Sequence, residues 1–416
     1  MKSNCLILTL CISMLTPVVR CHAQDLPGQT VLLPEVVTVS PNAYHQLKLD
    51  MLANPARHTQ GLVKLNADAQ KAMRTPIRAI TEKTVKGPSS DPHDYVSLSP
   101  YRWPNPNSAD GMPWIRKDGK VNPMRDQYDL PAMQSMATTT FTLATGYYFL
   151  NEEQYAQRAT QLIDMWFINP KTRMNPRILH GQYIPGKTDG QCYGILETAR
   201  LFFVINAAGL LKGSPYWTTA KSDALKQWFT DYLSWLKTSD LGKKELAQPN
   251  NHSNWIIAQM MVFAMYVGDN QTAAQMCELA KHNIDTQIQA DGSQPHELAR
   301  TRSLDYSEFS LRALLTVAWL GQQVGSDLAS YTSPQGGSLR KAIDLIAPHL
   351  PDPAQWPHKQ IVKPKYHHFH KTLGMAQSLF PNTDYQQWIK QIPADSDPAQ
   401  MYYHPPTAYQ CTEQVN

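Results

Sequence analysis

Most of the chain carries its apolar residues at helical spacing. In "EEQYAQRATQLIDMWF", Tyr155, Ala159, Leu162, Ile163 and Trp166 fall on one face, and in "DLPAMQSMATTTFTLATGYYFL" Met133, Met136, Thr140, Leu143 and Tyr147 do the same. Recurrence every three or four positions predicts amphipathic helices that bury one face against their neighbours. Similar periodicity predicts helices over about 46–75, 191–212, 219–237, 254–267, 271–289, 305–324, 338–349 and 367–380. The loops between them are polar and rich in Pro, Gly and Asn, and alternating runs of the kind that make strands are scarce.

Consecutive helices joined by irregular loops predict an all-α fold of stacked helical hairpins. No repeat of fixed period is visible, which favours a single (α/α) toroid, an incomplete barrel of about six or seven hairpins, over an open solenoid. One catalytic domain is expected over 24–416. Within it, 86–127 is long, Pro-rich and poor in helix signals, and is expected to fold over the cleft as an arm or lid.

The first residues have Lys2, an apolar stretch from Cys5 to Leu15 and small residues ending at Ala23. That layout predicts a signal peptide over 1–23 and an exported, periplasmic protein. A lipoprotein anchor at Cys21 is the alternative, but Arg20 stands where such signals need a small residue. No later apolar run approaches the roughly 18 to 20 residues of a spanning helix. Cleavage would remove Lys2 and Arg20, taking two charges from a net +4 and leaving +2, which is no nucleic-acid signature. Of six cysteines only Cys192, Cys277 and Cys411 lie beyond the leader, too few for a disulfide framework in a chain of this length. Cys277 shares an apolar stripe with Ala273, Ala280, Ile284 and Ile288 and reads as a core residue.

Against this background "PNNHSNW", Pro249 to Trp255, is unusual: three amides, an imidazole and a hydroxyl stand before an apolar run with no charge among them. One Asn or Ser is accounted for by capping a helix that starts near Ser253. A second cluster, "DGSQPHELARTRSLDYSEFSLRALL", follows a turn at Asp291 and Gly292 and offers Glu297, Arg300, Arg302 and Tyr306 ahead of a helix beginning near Asp305. Alone, a Tyr at a helix start is a packing residue and an Arg is solvated. Together, a phenol moves protons and a guanidinium binds a carboxylate through paired hydrogen bonds. Both clusters in one cleft fit proton abstraction beside the carboxylate of a uronic acid. Neutral or cationic donors stabilise the enolate dianion that forms at C5, and Tyr or His carries protons until the C4 glycosidic bond breaks by β-elimination.

"PNNHSNW" and "DGSQPHELARTRSLDY", with the upstream "SPYRWPNP" and "GMPWIRKDGKVNP", resemble the alginate lyase family of helical-toroid polysaccharide lyases over about Asp91 to Leu320. The resemblance implies that Asn251 and an arginine neutralise the substrate carboxylate. It further implies that Tyr306 is the acid, and also the base where proton and leaving group share a face, and that His252 assists or is base on the opposite epimer. In the family pattern the stretch from the arginine to the tyrosine is one residue longer than "RTRSLDY". Arg300 is the match from the "ELAR" side, and Arg302 stays open as the alternative or as a contact in a neighbouring subsite.

The remaining candidates are binding residues. Tyr95, Tyr101, Arg102 and Trp103 on the arm would stack on sugars or touch carboxylates. His180, Gln182 and Lys187 on the Gly-rich "HGQYIPGKTDGQCYG", with Asn250 and Glu297, are placed among the substrate contacts. "KPKYHHFHK" holds three histidines among three lysines, a pattern that fits a basic rim for a polyanion better than a metal site. The expected partner is alginate or a related polyuronate such as glucuronan, and the mechanism needs no cofactor or metal. Two other classes compete. A toroid glycoside hydrolase would need an acid and a base from Asp291, Glu297, Asp305 and Glu308, which all crowd one segment. A non-catalytic glycan-binding protein would have no use for Tyr306 with His252.

Overall fold

The computed structural model describes residues 31–85, 87–393 and 397–404. The expected leader, 1–23, and Cys411 lie outside the described residues. The chain divides after Val31, and every described element belongs to the unit Leu32–Asn416.

The described residues are mostly helical. Pro41–Ala53 (α1) and Pro55–Arg74 (α2) replace the one helix expected over 46–75. Pro55 lacks the N–H a continuous helix would use, and Asn54 before it leaves helical geometry at φ −129, ψ 58. Asp129–Leu150 (α3) and Glu153–Ile163 (α4) follow their periodic stretches, separated by Asn151 in the left-handed region. Over 191–212 the chain first winds as a 3-10 helix, Cys192–Leu201, and then becomes Phe202–Leu210 (α5). The Thr198 hydroxyl donates to the Ile195 carbonyl three residues back, a contact suited to that tighter winding.

Thr219–Thr238 (α6), Asp240–Leu246 (α7), Asn251–Val267 (α8) and Asn270–Gln287 (α9) come next. They lead to Pro295–Leu298 (α10), Ser303–Gly321 (α11), Leu339–Ile346 (α12) and Tyr366–Leu379 (α13). Two short pieces, Gln386–Ile389 (α14) and Gln400–Tyr403 (α15), close the described chain. In α8, 13 of 17 residues are buried, so it is covered on nearly every side, by α6, α7, α9 and α11. On the other side of the core α3 packs on α2, α4 and α5. Cys277 and its stripe are buried, as a core reading requires, and its thiol is free. Among the described residues no helix is long and apolar enough to cross a membrane.

The stretch 86–127 has more order than its composition predicts. Val96–Leu98 (β1) runs parallel to His180–Tyr183 (β4), and Arg102–Trp103 (β2) pairs antiparallel with Ile115–Arg116 (β3). Leu98, Trp114 and Ile184 form a small core of their own beneath it. Tyr95 does not stack on sugars: it is buried, and its hydroxyl donates to Glu197 at 2.9 Å. Where the 3-10 helix meets β4, a Cβ on Gly194 would lie 2.4 Å from the Gly181 Cα. Gly194→Ala is therefore expected to lower stability by about 1–3 kcal/mol, read as a fall in the thermal midpoint.

Candidate active site

"PNNHSNW" divides its residues between three tasks. Asn250 is the N-cap: its side-chain oxygen accepts from His252 N at 3.1 Å, so the helix begins at Asn251, two residues before the expected start. Ser253 and Asn254 face inward. The amide of Asn254 donates to Gln287 and Ser310, while Asn283 and Gln287 donate to the Ser253 hydroxyl, all at 2.9 Å. That network ties α8 to α9 and α11, and the Trp255 indole adds a bond to the Phe309 carbonyl. Only Asn251 and His252 remain for chemistry, on the first turn of a helix fixed on all sides.

Each is held by a carboxylate. Glu297 on α10, 2% exposed, takes the Asn251 backbone N–H at 2.6 Å and the side-chain amide at 3.0 and 2.9 Å. Burial raises the Glu297 carboxyl pKa, opposed by the Asn251 bonds and by the charge of Arg300. The Asn251 Oδ1 is buried without a hydrogen-bond partner among the described residues. His252 Nδ1 lies 2.6 Å from Glu245 on α7, whose side chain is fully buried. With Nδ1–H given to that carboxylate, Nε2 of the neutral ring keeps its lone pair. The Tyr193 ring lies 4.7 Å from the imidazole and limits its rotation.

The second cluster sits at the start of α11. "QPHEL", expected as loop, makes the short α10, with Pro295 at the first helical position where its missing N–H costs nothing. Arg300 crosses the face of Tyr306, its guanidinium carbon 3.8 Å from the ring centroid. Its Nη2 donates to Asp118 at 3.0 Å, and its Nε is buried and unpartnered among the described residues. The Tyr306 hydroxyl is 2.8 Å from that of Tyr101. Burial, with Tyr101 beside it, raises the Tyr306 phenol pKa well above its ordinary value, and Arg300 opposes this. Asp118 is pushed up by burial but more strongly held down by hydrogen bonds from Arg300 and Arg116, to about 2. Arg302 turns to a different partner, Asp305, at 3.1 and 2.8 Å.

Several expected substrate contacts occupy other roles. Glu297 spends its carboxylate on Asn251, and Asn250 spends its side-chain oxygen on the cap, so neither presents that group to a ligand. Trp103 donates to the Lys120 carbonyl at 2.9 Å and carries Lys117 on its ring, and Arg102 lies half-buried on β2. His180 bonds the Asp189 carbonyl at 3.1 Å. Gln182, at φ 48, donates to the Tyr193 carbonyl at 3.2 Å and so braces the residue beside His252. Lys187 is exposed. Glu245, Tyr193 and Asp118 went unpredicted. Among the described residues no group of three or more His, Cys, Asp or Glu is placed to hold a metal ion.

A buried amide, an imidazole braced by a carboxylate and a guanidinium laid over a phenol stand at the ends of two core helices. They give a mostly helical protein a polar site built of donors and the carboxylates that hold them. The chain belongs to the alginate lyase family, whose sequence model matches residues 79–356, and it is accordingly a polysaccharide lyase. A crystal structure of an alginate lyase from Bacteroides ovatus superposes with a TM-score of 0.85 at 29% identity, covering 91% of this chain and 100% of that one. An apo histidine-to-alanine variant of alginate lyase A1-III, the enzyme from Sphingomonas species A1, matches at 0.52 and 17% identity over 78% of this chain and 88% of that one. The same variant complexed with a tetrasaccharide gives 0.50 and 16% over the same shares. At such identity the A1-III likeness speaks for the fold alone. No curated protein matches in sequence.

Proposed function

We propose that this protein depolymerises alginate, as polymannuronate or polyguluronate, or a related β-1,4-linked polyuronate such as glucuronan, by β-elimination. The observation that carries the reading is Arg300 Nε, a buried donor with no partner among the described residues, on the guanidinium that lies over the Tyr306 ring. Buried polar atoms are rarely left unsatisfied, and a bound ligand is one way to complete them. In the proposed reaction one N–H of the Asn251 amide is shared between the two Glu297 oxygens, and the other, with Arg300, binds the uronate carboxylate. The C5 proton leaves to a base, its electron pair passes into the enolate, and the enolate expels O4 while Tyr306 gives that oxygen a proton. The product is an unsaturated uronate at the new non-reducing end. A phenol whose proton is retained by burial suits the acid, and the Nε2 lone pair of His252 suits the base where proton and leaving group lie on opposite faces.

The hydrolase alternative is disfavoured because its candidate carboxylates are committed. Asp291 accepts the Ser293 N–H of its own turn, Glu297 holds Asn251, Asp305 holds Arg302, and Glu308 is buried against Arg312 and Thr372. The toroid closure, the lid role of 86–127 and export through a leader at 1–23 belong to the same proposal. Tyr101 and Asp118 on the arm, both bonded to the second cluster, support the lid. Incubating the protein with polymannuronate, polyguluronate and glucuronan tests the reaction: ultraviolet absorbance should rise on at least one, since elimination makes an alkene conjugated to the carboxylate. Reducing ends without absorbance would mean hydrolysis. The exported protein should lack residues 1–23 by mass. For the two arginines, Arg300→Ala should lower kcat more than roughly tenfold, and Arg302→Ala should mainly raise KM, as loss of uniform binding does. The reverse pattern in steady-state kinetics would move the neutralising role to Arg302.

A further inference from the structure

A pocket of about 190 Å3 opens beside Tyr306, lined by Arg302, Asp305, Tyr306, Glu308, Phe309, Lys365 and His368. Two of its walls come from α11 and the start of α13, and the α13 wall lies beyond residue 356, where the family match ends. We infer that this pocket is a subsite for the carboxylate of a uronate neighbouring the one that reacts, bound by Lys365, by the Nε2–H of His368 and by the free edge of Arg302. The inference deepens the lyase reading and rests on it for the nature of the ligand.

The pocket's own acids are already engaged. Asp305 takes Nε and Nη2 of Arg302, leaving Nη1. Glu308 is buried and holds Arg312 at 3.0 Å and Thr372 at 2.5 Å. Lys365 is exposed at the N-cap of α13, and no carboxylate among the described residues pairs with it, so the pocket has an uncompensated positive charge. His368 is fixed as a neutral donor by its neighbour. Arg312 Nη2 is 2.9 Å from His368 Nδ1, and because a guanidinium can only donate, Nδ1 must accept and the ring proton must sit on Nε2. Burial, reinforced by the charge of Arg312 and the other cations around it, holds the imidazole pKa down to about 2, which keeps the ring neutral at neutral pH. Of the three histidines in "KPKYHHFHK" only His368 lines the pocket; His370 bonds the Pro393 carbonyl. An ammonium, a guanidinium edge and an N–H donor around a space next to the reacting phenol match a carboxylate, while neutral sugars would leave Lys365 without its partner.

The test uses Lys365→Ala, His368→Leu and His368→Gln, which keeps an N–H donor, with kcat and KM read by ultraviolet absorbance on the best polyuronate. Lys365→Ala and His368→Leu should each raise KM about tenfold with kcat within about twofold, and His368→Gln should recover part of the loss. Wild-type KM in Lys365→Ala, which alters only an exposed side chain, would overturn the subsite while leaving the lyase reading intact. If the wild-type protein gives no absorbance on any polyuronate, the lyase reading fails, and titration calorimetry with polymannuronate then decides the subsite. Weaker binding by Lys365→Ala and His368→Leu supports it, and unchanged binding or none by wild type rejects it.

Discussion

Tyr306→Phe is expected to lose about 10² to 10⁴ in turnover while folding and binding polymer as before, the range for deleting a proton-transfer group. The hydroxyl it removes has one described hydrogen-bond partner, Tyr101, and the ring that packs under Arg300 is kept. Stability should therefore scarcely change. Turnover by ultraviolet absorbance and a thermal melt on the same preparation separate the two effects. Near wild-type turnover from folded Tyr306→Phe would remove the phenol from the chemistry and leave the elimination without its acid.

Asn251→Ala should cost about 10² to 10³ in kcat, comparable to the loss of one donor to a developing oxyanion. It should also cost about 1–3 kcal/mol of stability, because Glu297 stays buried with fewer bonds. Asn250→Ala provides the contrast. It removes the cap, with an expected cost of about 1 kcal/mol, and should leave kcat per folded molecule unchanged. Equal kcat losses in the two variants would mean that the start of α8 acts only through its geometry.

The long helices were legible because apolar residues recur at helical spacing over many residues, on one face in α6 and α9 and nearly all round in α3, and all three lie within a residue or two of their periodic stretches. The misses are local. Pro55 divides a periodic run, and the short α7 and α10 carry too few residues for a period to register. At the site, sequence reasoning singled out side chains able to meet a ligand, Asn251, His252, Arg300 and Tyr306. It missed what holds them. Glu245 is a lone acid after two lysines in "GKKEL" and Asp118 sits in a turn, so neither has a pattern that separates it from a solvated charge. Glu297 was visible but misassigned to the substrate, since spacing along a chain cannot tell a carboxylate facing a cleft from one facing an amide.

The bond between Tyr101 and Tyr306 spans 205 positions, and that between Asp118 and Arg300 spans 182. Closing loops of that size costs entropy that only a nearly complete core can offset. During synthesis the arm leaves the ribosome long before α11 exists, and until then Tyr101 lacks Tyr306 and Asp118, though paired with Arg116, lacks Arg300. Catalytic competence should thus be among the last properties the chain acquires. In a refolding experiment, turnover should return after the helical signal, with a lag that Asp118→Asn lengthens.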